Sequence, residues 1–289
     1  MTFSLVVFAI AFPAPGVEPA TEMWQVAPDT SEKPWVVPET PPDRTRAVVL
    51  IHGLFVHPVR PAKASQPWLR DWQEAKSDLV KALAKDSDVF AFAYAQTAPV
   101  DEIAHGAGLQ DAVARLRKAG YKEIVLVGHS AGGVIARQFV EQFPDAGATK
   151  VIAVAAPFAG VEVASFKVGY PKVQAPFVQS LAPEVRTEAV RANKNPLGKD
   201  VQIACVVCKL KLVETDGLVS TGSQWPDDLQ KFGVPIVLAP VNHFTVMQSS
   251  AAVKQIAELA REKLTRWGPE GVDKARKVLF GEPPVARDK

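Results

Sequence analysis

Cysteine is nearly missing from this 289-residue chain: there are two, Cys205 and Cys208, both in IACVVCKLK. So few exclude a disulfide-stapled scaffold. The pair lies in a strand-like run, where residues three apart point to opposite faces, so neither a mutual bond nor shared metal ligation is expected. No second Cys/His pair completes a tetrahedral site, and neither a metal nor a cofactor is expected. Net charge is also small. Thirty-three basic residues face 31 acidic ones, for a balance of +2. That excludes a strong field for nucleic acid, and there is no basic run, acidic tail or internal repeat. Nor is there an apolar stretch long enough to span a bilayer comfortably. The run FSLVVFAIAF at residues 3–12 is of a length that suits the apolar region of a signal peptide. On that reading the chain is exported, to the periplasm or beyond, and otherwise it is cytoplasmic. No Lys or Arg precedes Lys33 to form a basic leader, and a first strand of the sheet is the competing reading.

What remains is an ordinary globular balance, 47% hydrophobic and 22% charged. Prolines crowd residues 13–45, so an extended lead-in with little regular structure is expected there, pinned by Trp24 and Trp35. Apolar runs then alternate with amphipathic ones. RAVVLIHG, DVFAFAY, KEIVLVG, TKVIAVAAP, KDVQIACVVCKLKLV and VPIVLAP read as strands. WLRDWQEAKSDLVKALAKD, VDEIAHGAGLQDAVARLRKAG, AGGVIARQFVEQF and the long HFTVMQSSAAVKQIAELAREKLTRW read as helices. Strands that are apolar throughout and separated by amphipathic helices predict an α/β fold, a mostly parallel central sheet flanked by helices. Residues 1–45 form the leader, 46–267 the domain and 268–289 a tail. An irregular insertion at 158–199 is a candidate lid.

Chemistry centres on GHSAGG, residues 128–133. It follows a strand and opens a helix, the setting in which a Gly-x-Ser-x-Gly pattern presents its serine on a sharp turn. A serine hydroxyl needs a base to remove its proton, and the base needs an orienting acid. Of five histidines, His243 is the candidate base, because it lies just after the last strand and before the last helix. His129, inside the turn, is expected to point away from the reacting side. Asp216, followed by Gly217, is the candidate acid, with Glu214 as its rival. For the developing oxyanion the backbone N–H groups of Ala131 and Leu54 are the candidate donors, and Phe55 is the alternative to Leu54.

VVLIHGLF, VLVGHSAGGVIAR, VAAPFAGVEVASF and DGLVSTGSQWP together resemble segments of the α/β-hydrolase superfamily, and within it the bacterial lipases and carboxylesterases. The resemblance implies an α/β-hydrolase fold, in which the 158–199 insertion is the candidate lid. It also implies the order nucleophile, acid, base that Ser130, Asp216 and His243 follow. Aromatic residues near the expected active edge (Phe55, Trp68, Phe158, Phe166, Trp225 and Phe244) suggest a wall for an apolar acyl group, with Phe55, Phe158 and Phe244 touching substrate. The expected substrate is a small-molecule or lipid ester, with transient contact to lipid surfaces. Two other readings stay open: another acyl-transfer enzyme on the same fold (thioesterase, peptidase or acyltransferase), or a non-catalytic binding scaffold.

Overall fold

A computed structural model of the protein describes residues 18–281 except 29, 32, 58, 59, 167, 168, 194, 196 and 199. The apolar run at residues 3–12 lies outside the described residues. Seven strands make one sheet: β1 (Thr21–Ala27), β2 (Arg46–Ile51), β3 (Asp88–Tyr94), β4 (Glu123–His129), β5 (Lys150–Val154), β6 (Gln202–Cys208) and β7 (Ile236–Ala239). Their spatial order is β1-β3-β2-β4-β5-β6-β7. All neighbours pair in parallel except β1, which runs antiparallel to β3.

Alternate residues of each strand feed two cores. Val49, Ile51, Phe90, Phe92 and Leu126 enter one, and Val48, Leu50, Val89, Ala91 and Val127 enter the other. The second core is closed by α1 (Asp78–Leu83) and, at the far end of the chain, by Ser250–Arg261. The first is closed by α2 (Val100–His105), α3 (Ala107–Ala119), α4 (Ala131–Gln142) and α5 (Ala175–Gln179). Burial on both faces is why the strands carry no polar alternation. Cys205 and Cys208 fall into different cores and are both free thiols. Burial pushes both thiols up, that of Cys205 to about 12, which leaves them unreactive.

Several elements differ from expectation. The lead-in contains a real strand, β1, laid on the sheet edge, and Trp35 packs edge-on against Phe90 at 5.0 Å. A proline-free window between Pro19 and Pro28 makes room for it. The helix expected from residue 68 is only Asp78–Leu83. Ser77, extended at ψ 149°, caps it by accepting from Val80 N, while Gln73 Nε2 donates to Leu50 O at 2.9 Å and holds the preceding turn against β2. β6 stops at Cys208, and Leu212 and Val213 beyond it are exposed. The described residues of 158–199 hold two short 3-10 helices, α5 and α6 (Pro183–Ala192). Further along are α7 (Thr221–Gln224), α8 (Asp227–Lys231) and α9 (Ser250–Arg261), the last shorter than the run that suggested it. The segment expected as a tail contains α10 (Pro269–Phe280), whose Ala275 and Leu279 enter the first core.

Candidate active site

β2 has β3 on one side and β4 on the other, so the chain leaves β2 in one direction and returns on the opposite side. The carboxyl ends of β2 and β4 therefore flank the sheet's crevice. GHSAGG emerges from β4 at this point. Ser130 stands at φ 54°, ψ −127° between the strand and α4, a backbone conformation that costs a non-glycine residue on the order of 1–3 kcal/mol. Its N–H donates to Val154 O at 2.8 Å, which ties the turn to β5. The turn works only if α4 can crowd β2: a Cβ on Gly132 would collide with the carbonyls of Ile51 and His52.

The loop after β2 also closes on the serine. A Cβ on Gly53 would lie 2.6 Å from Ser130 Cβ and 3.1 Å from its Oγ. Two residues further, the Phe55 N–H donates to Gln96 Oε1 at 3.0 Å. The Leu54 and Ala131 N–H groups have no acceptor among the described residues. Ala131 is the first residue of α4, so its amide belongs to the positive end of a helix dipole.

Ser130, Asp216 and His243 meet. His243 Nε2 lies 3.0 Å from Ser130 Oγ, and its Nδ1 lies 2.7 Å from Asp216 Oδ2. The carboxylate only accepts, so Nδ1 carries the proton and Nε2 is left able to accept from the serine hydroxyl. Asp216 is fully buried and itself held: Oδ1 accepts from Leu218 N at 2.9 Å and Val219 N at 2.7 Å. The Asp216 carbonyl accepts from His243 N at 3.0 Å, so the two loops are tied by backbone as well as side chain. Glu214, the rival acid, is exposed and enters this region only through its carbonyl, which accepts from Thr221.

Two expectations need correcting. His129 does not turn away: its ring lies 5.0 Å from that of His243 and 6.1 Å from that of Trp72, and its Nε2–H donates to the His243 carbonyl at 3.0 Å. Burial, then the neighbouring His243, holds the His129 imidazole well below its ordinary value, so it stays neutral and keeps this bond. Phe158 is 3% exposed and belongs to the first core. Its ring faces the Arg137 guanidinium at 5.2 Å, above a buried cluster in which Arg137 pairs with Glu141 and Asp228. The Phe158 N–H donates to Ser223 O at 3.0 Å, so backbone, core packing and the cation–π contact all hold the residue inward. Trp225 is likewise fully buried, with Nε1 donating to Val234 O. Phe55 and Phe244 do stand at the surface, 40% and 75% exposed, and the Phe244 ring meets His243 edge-on at 5.6 Å.

Two buried glutamines, absent from the sequence reading, border the site. Gln96 follows β3 and Gln174 lies in the insertion, and both bind the backbone of residues 53–57. A glutamine in a loop carries no pattern that marks it in a sequence.

No curated protein matches the chain. Among solved structures, the mature form of the lipase BlEst2 from Bacillus licheniformis superposes with a TM-score of 0.58 at 15% identity, over 77% of this chain and 94% of that one. Phospholipase PlaB from Legionella pneumophila gives 0.55 at 14% identity, over 82% and 63%. A metagenomic carboxyl esterase gives 0.50 at 17% identity, over 78% and 72%. These likenesses are of fold. The model of the alpha/beta hydrolase family matches residues 48–273, a span that runs from β2 through the whole of the Ser130, Asp216 and His243 array, and the chain belongs to that family.

Proposed function

We propose that the protein is a serine hydrolase of carboxylic esters with an apolar acyl part. The observation that carries this reading is the unbroken line of hydrogen bonds from Ser130 Oγ through the His243 ring to the buried Asp216. His243 Nε2 takes the hydroxyl proton as Oγ attacks the ester carbonyl. Asp216 keeps the ring in the required tautomer and stabilises the imidazolium. Negative charge on the carbonyl oxygen is met by the Ala131 and Leu54 N–H groups. Leu54 is favoured over Phe55, whose N–H is already spent on Gln96. His243 then returns the proton to the leaving alcohol, giving an acyl-serine. Water, deprotonated by the same imidazole, releases the acid and restores the hydroxyl.

The substrate class rests on the exposed Phe244 ring against the base, on the exposed Phe55 ring in the loop that follows Gly53, and on the lipase, phospholipase and esterase named among the structural neighbours. Ser130 is 7% exposed, and residues 158–199, which reach the loop beside it through Gln174, serve as its lid. Hydrolysis of p-nitrophenyl esters of graded chain length is the test. Activity is expected on the acyl esters, rising from acetate to longer chains, and absent in Ser130→Ala. A preference for charged or amide substrates would overturn the assignment.

A further inference from the structure

The loop that bears the Leu54 amide belongs to no regular element, yet four of its backbone polar groups are engaged by two side chains. Gln96 Nε2 donates to Gly53 O at 2.9 Å, and Gln96 Oε1 accepts from Phe55 N at 3.0 Å. Gln174 Nε2 donates to Phe55 O at 2.8 Å, and Gln174 Oε1 accepts from His57 N at 3.1 Å. The glutamines also bind each other, Gln174 Nε2 to Gln96 Oε1 at 3.0 Å. Each is fully buried. The orientation of both amides is fixed, since flipping either would set donor against donor.

The Gly53 C=O, the Phe55 N–H and C=O and the His57 N–H therefore face one edge, the alternation of an extended segment. Residue 54 must then present its own N–H to the other edge. Gly53 already lies against Ser130. We propose that Gln96 and Gln174 are positioning residues that act as one unit, clamping residues 53–57 so that the Leu54 N–H is held for the oxyanion, and that Gln174 thereby makes the placement of the 158–199 insertion a condition of full activity. This rests on the hydrolase reading above. The two residues touch neither substrate nor reacting atoms. Without them the loop keeps its sequence and loses its register, and a donor displaced by about 1 Å costs on the order of 100-fold in rate.

The test uses the full chain as wild type, Gln96→Met, Gln174→Met and the double variant, in which volume is kept and the hydrogen bonds are lost. Reactive serines are titrated with a fluorophosphonate, which counts only folded, competent sites. Turnover of p-nitrophenyl butyrate is then expressed per titrated site, beside inhibition by a trifluoromethyl ketone, which forms the tetrahedral oxyanion. Each single variant is expected to lose about 10- to 100-fold in kcat per site with KM within about twofold, and ketone binding to weaken in parallel. The double variant is expected to be no worse than the poorer single one. Unchanged kcat per titrated site, or losses that multiply in the double variant, would overturn the clamp while leaving the hydrolase reading intact. A wild-type chain that titrates no serine would overturn both.

Discussion

His52 shows how much of this site is decided by desolvation. It follows β2, is fully buried, and stacks on Tyr94 at 4.3 Å. Burial pulls its imidazole from 6.5 down to about 4, outweighing the bond from the ring to the Gly53 carbonyl. The folded protein thus holds His52 neutral over a range where the unfolded chain protonates it. Its contribution to stability is complete above pH 6.5 and is lost as pH falls through about 4, amounting to about 3 kcal/mol. Urea unfolding at pH 7 and pH 4 should show a larger loss for wild type than for His52→Asn; equal losses would contradict this. The candidate roles of Ser130, His243 and Asp216 were readable in the sequence, because a strand-to-helix turn, a post-strand loop and an Asp-Gly turn each leave a local pattern. The burial of Phe158 was not readable: its ring packs in the first core against Arg137, which pairs with Asp228, 70 residues away along the chain from Phe158.

At the scale of elements, periodicity located the parallel strands and most helices, and missed what depends on a single contact. β1 was hidden by flanking prolines, and α1 was shortened by the Ser77 cap. α9 offers a prediction of this kind. Lys150, the first residue of β5, reaches its end: Nζ donates to Ala260 O at 2.9 Å and Glu262 O at 2.7 Å, and pairs with Glu123 at 3.2 Å. The side chain is 1% exposed, so removing it takes the donor from the Ala260 and Glu262 carbonyls and leaves Glu123 paired with Arg46. Lys150→Met is expected to lose about 2–3 kcal/mol of unfolding free energy in denaturant melts. Rate per titrated serine should be unchanged, since Lys150 sits at the end of β5 opposite Ser130. A melt within experimental error of wild type would show that the cap contributes nothing.

For the molecule as a whole, the sheet order matters more than any one element. Because β2 sits between β3 and β4, the two loops that must face each other, one carrying Gly53 and Leu54 and one carrying Ser130, leave adjacent strands at the same edge. Asp216 and His243 arrive at that edge from beyond β6 and β7. Eighty-six residues separate the serine from its acid and 113 from its base, numbers that set no distance until the strand order is known. The central claim is that this convergence activates the Ser130 hydroxyl. Peptide mapping by mass spectrometry after treatment with a fluorophosphonate tests it most directly. The account predicts a single adduct on Ser130 in wild type and its loss in His243→Ala, where the hydroxyl remains and the base is gone. An adduct on another residue, none at all, or undiminished labelling in His243→Ala would contradict it.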